Sequence, residues 1–538
     1  MRRLALLTAA LAALLAPPAA QAACTKKTAF DPRVPTLQKV TGVPFGRRPA
    51  ADAEIERYLS AVDDASTRVK TLRIATSAGG RPITAAFVSL PGQLAQSRLD
   101  TLSKELRTLR TGRPSEEQAR KIAIKEPAVA WIAAGVHGNE PSGSDASLRL
   151  LYDLAARTDC ANETRLRNLV SVVLPVQNPD GRATDRRSNG ASFDLNRDWF
   201  AMTQPELAGK IPVLESFPPV LYVDCHEERT SSFFFPPNAD PIYHEVPPRA
   251  LTAISKVFSP ALRKAFGNAG YGYETRRTYD LFFAGYGDSA PTTAFGAAGM
   301  TFEKGALSPF NERYAQMYLA QSTALGAASA NRRSLIESWA AGWREALAEG
   351  AKGRLRPNRL LSGARATRKV SSERVFAYAL RAHSNEADVA RLVQRLETFG
   401  VEVQRLSKPA TVTLRRWGTD GAAQTALPAG TYWVSMAQGT KHWIQALLND
   451  DTYVPIRFFS DVTAWSNPLM MGLEGGAVET RTPPAGLVAA GAPDLGSAPG
   501  TPAAAYAFRT DSTGALALVA ELLRGGVAVR RDGARDRE

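Results

Sequence analysis

His137 and Glu140 stand three positions apart at the carboxyl end of the apolar run Trp131-Ile132-Ala133-Ala134-Gly135-Val136. Imidazole and carboxylate both ligate a borderline metal such as zinc, and a catalytic zinc takes three protein ligands and keeps a fourth position for water. A third ligand is therefore needed. The chain has five histidines, at 137, 226, 244, 383 and 442. His226 is the best placed, because it ends a second apolar run, Val220 to Cys225, and sites in open α/β sheets gather where strands end. His244, His383 and His442 lie in polar or mixed surroundings that suit ordinary surface or half-buried side chains. Glu303 likewise closes an apolar run, Ala298 to Phe302, where burial would raise a carboxyl pKa toward neutrality and suit it to proton transfer. Apolar residues also frame a pair with chemistry of its own, Asn196-Arg197, inside Phe193 to Trp199.

The apolar pattern around these groups predicts a helix from Ala53 to Val62. Strands follow at 71–75 and Pro82 to Leu90, joined by a turn at Gly79-Gly80. The segment from Leu94 to Ile124 is charged and helical and reads as a surface excursion. A helix from Ser142 to Ala156 follows the His137 strand, and a strand from Val170 to Val176 runs into Asn178-Pro179-Asp180-Gly181. Phe233 to Asn238 reads as a rigid apolar loop, either walling a pocket or belonging to the core. Helical pattern fills Glu312 to Glu349, and the basic, Gly/Pro-punctuated stretch Lys352 to Lys369 marks a domain boundary. Beyond it, strand Val375 to Ala379, helix Glu386 to Phe399 and strand Val401 to Val403 read as a βαβ unit. A similar order recurs as Ala505 to Phe508, a helix from Thr513 to Leu523, and Val527 to Val529. The second fold is expected to be incomplete where the chain stops.

Residues 1–23 carry Arg2 and Arg3, an Ala/Leu core and a small-residue cleavage site, the pattern of a secretory signal peptide. The chain is therefore expected to be exported, periplasmic or extracellular, without a transmembrane segment. Gln21 disfavours lipoprotein anchoring at Cys24. The three cysteines, 24, 160 and 225, exclude a disulfide framework but leave room for one bridge between Cys24 and Cys160. The formal net charge is +14, yet the arginines are scattered and no nucleic-acid module is visible. Oligomeric state is not legible.

Taken in order, His137-Gly138-Asn139-Glu140, Asn178-Pro179-Asp180-Gly181, Asp194-Leu195-Asn196-Arg197, Asp224-Cys225-His226 and Thr301-Phe302-Glu303 resemble the zinc carboxypeptidase family typified by carboxypeptidases A and B. The resemblance runs from about Glu54 to Leu335. It implies an α/β fold, a mixed central sheet with helices on both faces, over a catalytic domain of residues 50–345. A second, smaller α/β domain of residues 370–538 lies outside it. By the same resemblance His137, Glu140 and His226 hold one zinc ion, Glu303 is the general base, and Asn196 and Arg197 bind the substrate's terminal carboxylate. Arg187 polarises the scissile carbonyl, with Arg186 as rival. Asp194 orients His137, and Tyr279 is the mobile tyrosine, with Tyr286 second. The implied partner is a peptide with a free C-terminal carboxylate. An amidase acting on cell-wall peptides is the alternative, and a degenerate binding module is disfavoured by the intact set of polar residues. No cysteine follows Cys225, so a cysteine nucleophile in the C-terminal region is excluded.

Overall fold

The computed structural model describes residues 24–239, 242–277, 281, 283–287, 289–356, 374–381, 385–450, 466–491, 500, 504–508, 510 and 512–531. Tyr279, His383 and the leader of residues 1–23 lie outside the described residues. Among the described residues, fifteen strands form two sheets. The first contains β1 (Val69–Thr76), β2 (Pro82–Val88), β3 (Ala128–Ala134), β4 (Leu169–Leu174), β5 (Leu221–Glu228), β6 (Phe233–Ala239), β7 (Glu274–Arg277) and β8 (Ala298–Gly305), in the order β1-β2-β4-β3-β5-β8-β6-β7.

Its centre is parallel: β3 pairs with β4 and β5, and β5 pairs with β8. Strands buried on both faces read as continuous apolar runs, which is why every residue of β3 is buried. Helices cover the sheet, among them Asp52–Ala65, Pro141–Ala156 and Phe310–Ala330. The chain between Leu94 and Ile124 is no excursion. Its helix Gln96–Arg110 buries Leu99, Leu102, Leu106 and Leu109 in the main core. The long helical stretch divides at Asn331 into Phe310–Ala330 and Arg332–Ala351.

Phe233 to Asn238 also departs from expectation, being a strand whose three phenylalanines are fully buried. Prolines argue against a central strand. Here the ladder accommodates them: β6 pairs with β8 only at Phe233 and Phe234, and its register with β7 shifts between Phe234 and Asn238, which leaves Pro236 and Pro237 out of the pairing.

The second sheet contains β9 (Ala377–Leu380), β10 (Gln404–Leu406), β11 (Ala410–Arg416), β12 (Ala422–Leu427), β13 (Tyr432–Ser435), β14 (Gly475–Val478) and β15 (Leu487–Ala489), in the order β12-β11-β14-β9-β13-β10-β15. Every pairing among its described residues is antiparallel. The expected βαβ unit is therefore split: β9 and β10 flank β13, and helix Glu386–Thr398 connects them. Of the expected repeat only the helix Thr513–Arg524 forms, and it buries no residue.

Buried polar contacts join this sheet's helices to the first. Arg110 donates to the carbonyls of Ala294 and Phe399, and Lys441 and His442 meet Glu245 at 2.7 and 2.5 Å. His442 is thus a buried side chain paired with Glu245, not a surface or half-buried one. A disulfide joins Cys24 to Cys160 and fastens the N-terminal segment to helix Cys160–Asn168.

Candidate metal centre

β3 ends at Gly135, whose left-handed φ of 62° turns the chain, and a Cβ there would lie 2.8 Å from Ser144 Oγ. The chain then crosses the Asn178 to Gly181 loop so closely that a Cβ on Gly138 would stand 2.0 Å from the Gly181 carbonyl carbon. Asn178 ties the crossing together, accepting from Gly181 N–H and donating to the carbonyls of Val136 and Arg187. Asp180 anchors that loop to the β1–β2 turn through Ser77 Oγ, Gly79 N–H and Arg81 at 2.9, 2.7 and 3.0 Å. The Asn-Pro-Asp-Gly motif therefore holds the scaffold on which His137 and Arg187 are set.

His137, Glu140 and His226 converge, each less than a tenth exposed. His137 Nδ1 lies 2.8 Å from Glu140 Oε1, His226 Nδ1 lies 3.0 Å from Glu140 Oε2, and the two Nδ1 atoms are 3.2 Å apart. The opposite ring nitrogens face carboxylates: His137 Nε2 is 3.2 Å from Asp194 Oδ1, and His226 Nε2 is 2.7 Å from Asp224 Oδ2. With Nε2–H donated outward, both rings turn bare Nδ1 lone pairs toward the Glu140 carboxylate. Three acceptors facing one another repel unless a proton or a metal cation lies between them. Tetrahedral zinc with ligands at 2.0–2.1 Å needs donor atoms about 3.3 Å apart, close to the separations found, so the residues fit the ion. The electrostatics agree. Burial would raise the Glu140 carboxyl, but the two imidazoles hold it well below the usual carboxylate range. Burial would depress His226, but Asp224 and Glu140 hold it well above its ordinary value. The site demands positive charge.

Arg187 overlies this cluster. Its Nε and Nη2 bind Asp194 Oδ2 at 3.0 and 2.9 Å, and Nη1 stands 3.1 Å from His137 Nδ1. Arg186 is not among the residues lining the cleft. Asp194 caps the short Leu195–Arg197 turn through Asn196 N–H. Burial would raise the Asp194 carboxyl, and His137, Arg187 and Arg197 keep it well below its ordinary value. Asn196 turns its Nδ2 to within 3.2 Å of His226 Nε2, and its Oδ1 accepts from Gly287 N–H at 2.6 Å. The Arg197 guanidinium lies 4.6 Å over the Tyr286 ring. Glu303 is the register partner of His226 across β5 and β8. Arg187, Asn196, Arg197, Tyr286 and Glu303 line one cleft of about 390 Å³ with the three candidate ligands.

A zinc carboxypeptidase family model matches residues 55–219. Over that stretch the chain is similar to the zinc carboxypeptidase family. The sequence is 36% identical over 129 residues to carboxypeptidase 2 of Trichophyton tonsurans, covering 23% of this chain and 24% of that protein. It is 37% identical over 113 residues to carboxypeptidase 2 of Trichophyton rubrum, covering 21% of each. The chain thus spans about a quarter of the length of the curated relatives it matches. A metallo-carboxypeptidase structure from Burkholderia cenocepacia aligns with TM-score 0.39 and 17% identity over 52% of this chain and 69% of that one. One from Pseudomonas aeruginosa aligns with TM-score 0.40 and 16% identity over 53% and 70%.

The stretch similar to that family contains His137, Glu140, Arg187, Asn196 and Arg197, and His226 and Glu303 lie beyond it. Around it the structure adds residues with no individual signal in the sequence. Behind Asp224, Gln177 Nε2 donates to Oδ1 at 3.3 Å and Gln177 Oε1 accepts from Lys210 at 2.7 Å. Burial pulls the Lys210 ammonium down to about 8. Gly287 must lack a side chain, since a Cβ would stand 1.9 Å from Asp224 Oδ2. Asp198 accepts from Thr203 and Gln204 and serves as a loop anchor.

Proposed function

We propose that this chain is an exported zinc metallocarboxypeptidase that hydrolyses the C-terminal peptide bond of peptides. The observation that carries the proposal is the convergence of His137 Nδ1, His226 Nδ1 and the Glu140 carboxylate in the cleft that also holds Glu303, Arg187 and Arg197. In this proposal zinc, when bound, supplies Lewis acidity to a water and to the scissile carbonyl. Asp194 and Asp224 hold the two imidazoles in the tautomer that leaves Nδ1 bare. Glu303, beside His226, accepts the proton of the attacking water and returns it to the leaving amine.

Arg187 places its guanidinium where negative charge builds on the carbonyl oxygen. Arg197 forks onto the terminal carboxylate, a match of planar donor and planar acceptor that restricts cleavage to chain ends. The Tyr286 ring under Arg197 supports Tyr286 as the tyrosine of this site. The Cys24–Cys160 bridge supports export into an oxidising compartment, and it commits the thiol that lipid anchoring at Cys24 would require.

The test is mass spectrometry of a mixed peptide library incubated with the chain, with and without a chelator, with peptides ending in D-residues included. Stepwise loss of C-terminal L-residues that stops with chelator is expected. Cleavage confined to internal bonds, or unaffected by chelator, contradicts the proposal, and release of D-residues alone transfers it to the cell-wall reading.

A further inference from the structure

Glu227 directly follows His226 on β5. It lies outside the candidate ligand triad, yet it is bonded to the Glu140 segment twice. Its backbone N–H donates to Glu140 Oε2 at 3.0 Å. Its carboxylate, buried to 2% exposure, accepts from Ser142 N–H at 2.7 Å through Oε1 and pairs with Arg313 through Oε2.

The reason for the second bond lies in how helix Pro141–Ala156 begins. Glu140 is its N-cap but makes no side-chain cap, because that carboxylate faces the two imidazoles. Pro141, at the first helical position, brings no N–H. Ser142 N–H is then an early donor without an intrahelical acceptor, and a carboxylate at this end also complements the helix dipole. The strand carrying His226 supplies the cap that Glu140 cannot. The two elements touch directly here: a Cβ on Gly143 would lie 2.5 Å from Cys225 Cβ.

We infer that Glu227 is a positioning residue. Its main chain holds the Glu140 carboxylate, and its side chain holds the start of the helix that carries Glu140, so that two candidate ligands from separate segments keep one geometry. Arg313, on helix Phe310–Ala330, fixes the Glu227 carboxylate from the far side. This rests on the zinc reading proposed above.

The test measures zinc affinity of the full chain by competition with a chromophoric chelator, alongside thermal melting of the metal-stripped chain. Groups that orient metal ligands are worth about 10–100-fold in affinity, and Glu227→Ala is expected to lose that much. Glu227→Asp, with its carboxylate withdrawn by one methylene, should lose less but at least about threefold. Glu227→Gln, which keeps an oxygen for Ser142 N–H, should lose least.

Wild-type affinity in Glu227→Ala overturns the inference, as does a lower melting temperature with unchanged affinity. If Glu227→Ala does not fold, wild-type affinity in Glu227→Asp overturns it instead. A wild-type chain with no zinc affinity would sink the metallopeptidase proposal itself, so the two failures are told apart.

Discussion

The strands of the eight-stranded sheet are mostly longer and more buried than those of the seven-stranded sheet, and only the eight-stranded sheet gathers chemistry at one edge. In the first, parallel β3, β5 and β8 share a direction, so His137, Glu140, His226 and Glu303 all emerge at the same end. In the second, each described pairing reverses direction, so consecutive strand ends point to opposite edges. Among the described residues, none beyond Ala306 lines the cleft. Its polar side chains are spent instead on contacts between the sheets, such as Lys441 and His442 on Glu245. Strand direction, more than composition, separates a region that can hold a site from one that supports it.

That contrast can be broken by substitution, beginning where the largest change in turnover is expected. Glu303→Gln should lower kcat about 10²–10⁴-fold while bound zinc, measured by elemental analysis, stays in place. Near-normal turnover would remove Glu303 from the proton-transfer role. Gly287→Ala, which drives a methyl into Asp224, should weaken zinc about 10–100-fold, seen by chelator competition; an unchanged value would show that Asp224 does not govern His226. Arg197→Ala should raise KM about 10–100-fold for free-carboxylate peptides and hardly at all for amidated ones. Equal changes on the two substrates would contradict chain-end recognition.

The smallest effect on turnover belongs to the second region. Lys441→Met strips Glu245 of its buried cation and should cost about 3–5 kcal/mol of stability, read by denaturant unfolding, with kcat/KM of the folded chain unchanged. Its pH dependence has a definite sign. Burial would raise the Glu245 carboxyl, but Lys441, His244 and His442 hold it well below its ordinary value. This contribution is therefore full above the unfolded carboxylate value of about 4.3 and is lost as pH falls toward the folded one. Unfolding at pH 7 and below pH 4 should show the variant closing on wild type in acid, and a constant gap would refute the assignment.

Much of the first sheet was legible because parallel buried strands announce themselves as apolar runs, and a His or Glu ending such a run stands out. The candidate ligands were found that way, and Glu303 too. The strand Phe233–Ala239 was hidden by Pro236 and Pro237, since nothing in the sequence signals a register shift that frees them from the ladder. The split of β9 and β10 was hidden because β13, which lies between them, arrives later in the chain. The burial of His442 is not legible because its partner Glu245 is 197 positions away. Glu227 carried no signal at all: a glutamate after a histidine says nothing until the Pro141 helix is seen to start beside it.

His137, Glu140 and His226 are proposed to hold one zinc ion that turnover requires. The most direct test is zinc titration of the chelator-stripped chain, following ion stoichiometry and peptide hydrolysis together, in wild type and in His226→Ala. The account predicts that hydrolysis in the wild type returns in step with one zinc per chain and that His226→Ala recovers neither. Hydrolysis by the stripped chain, or undiminished zinc binding in His226→Ala, would contradict it.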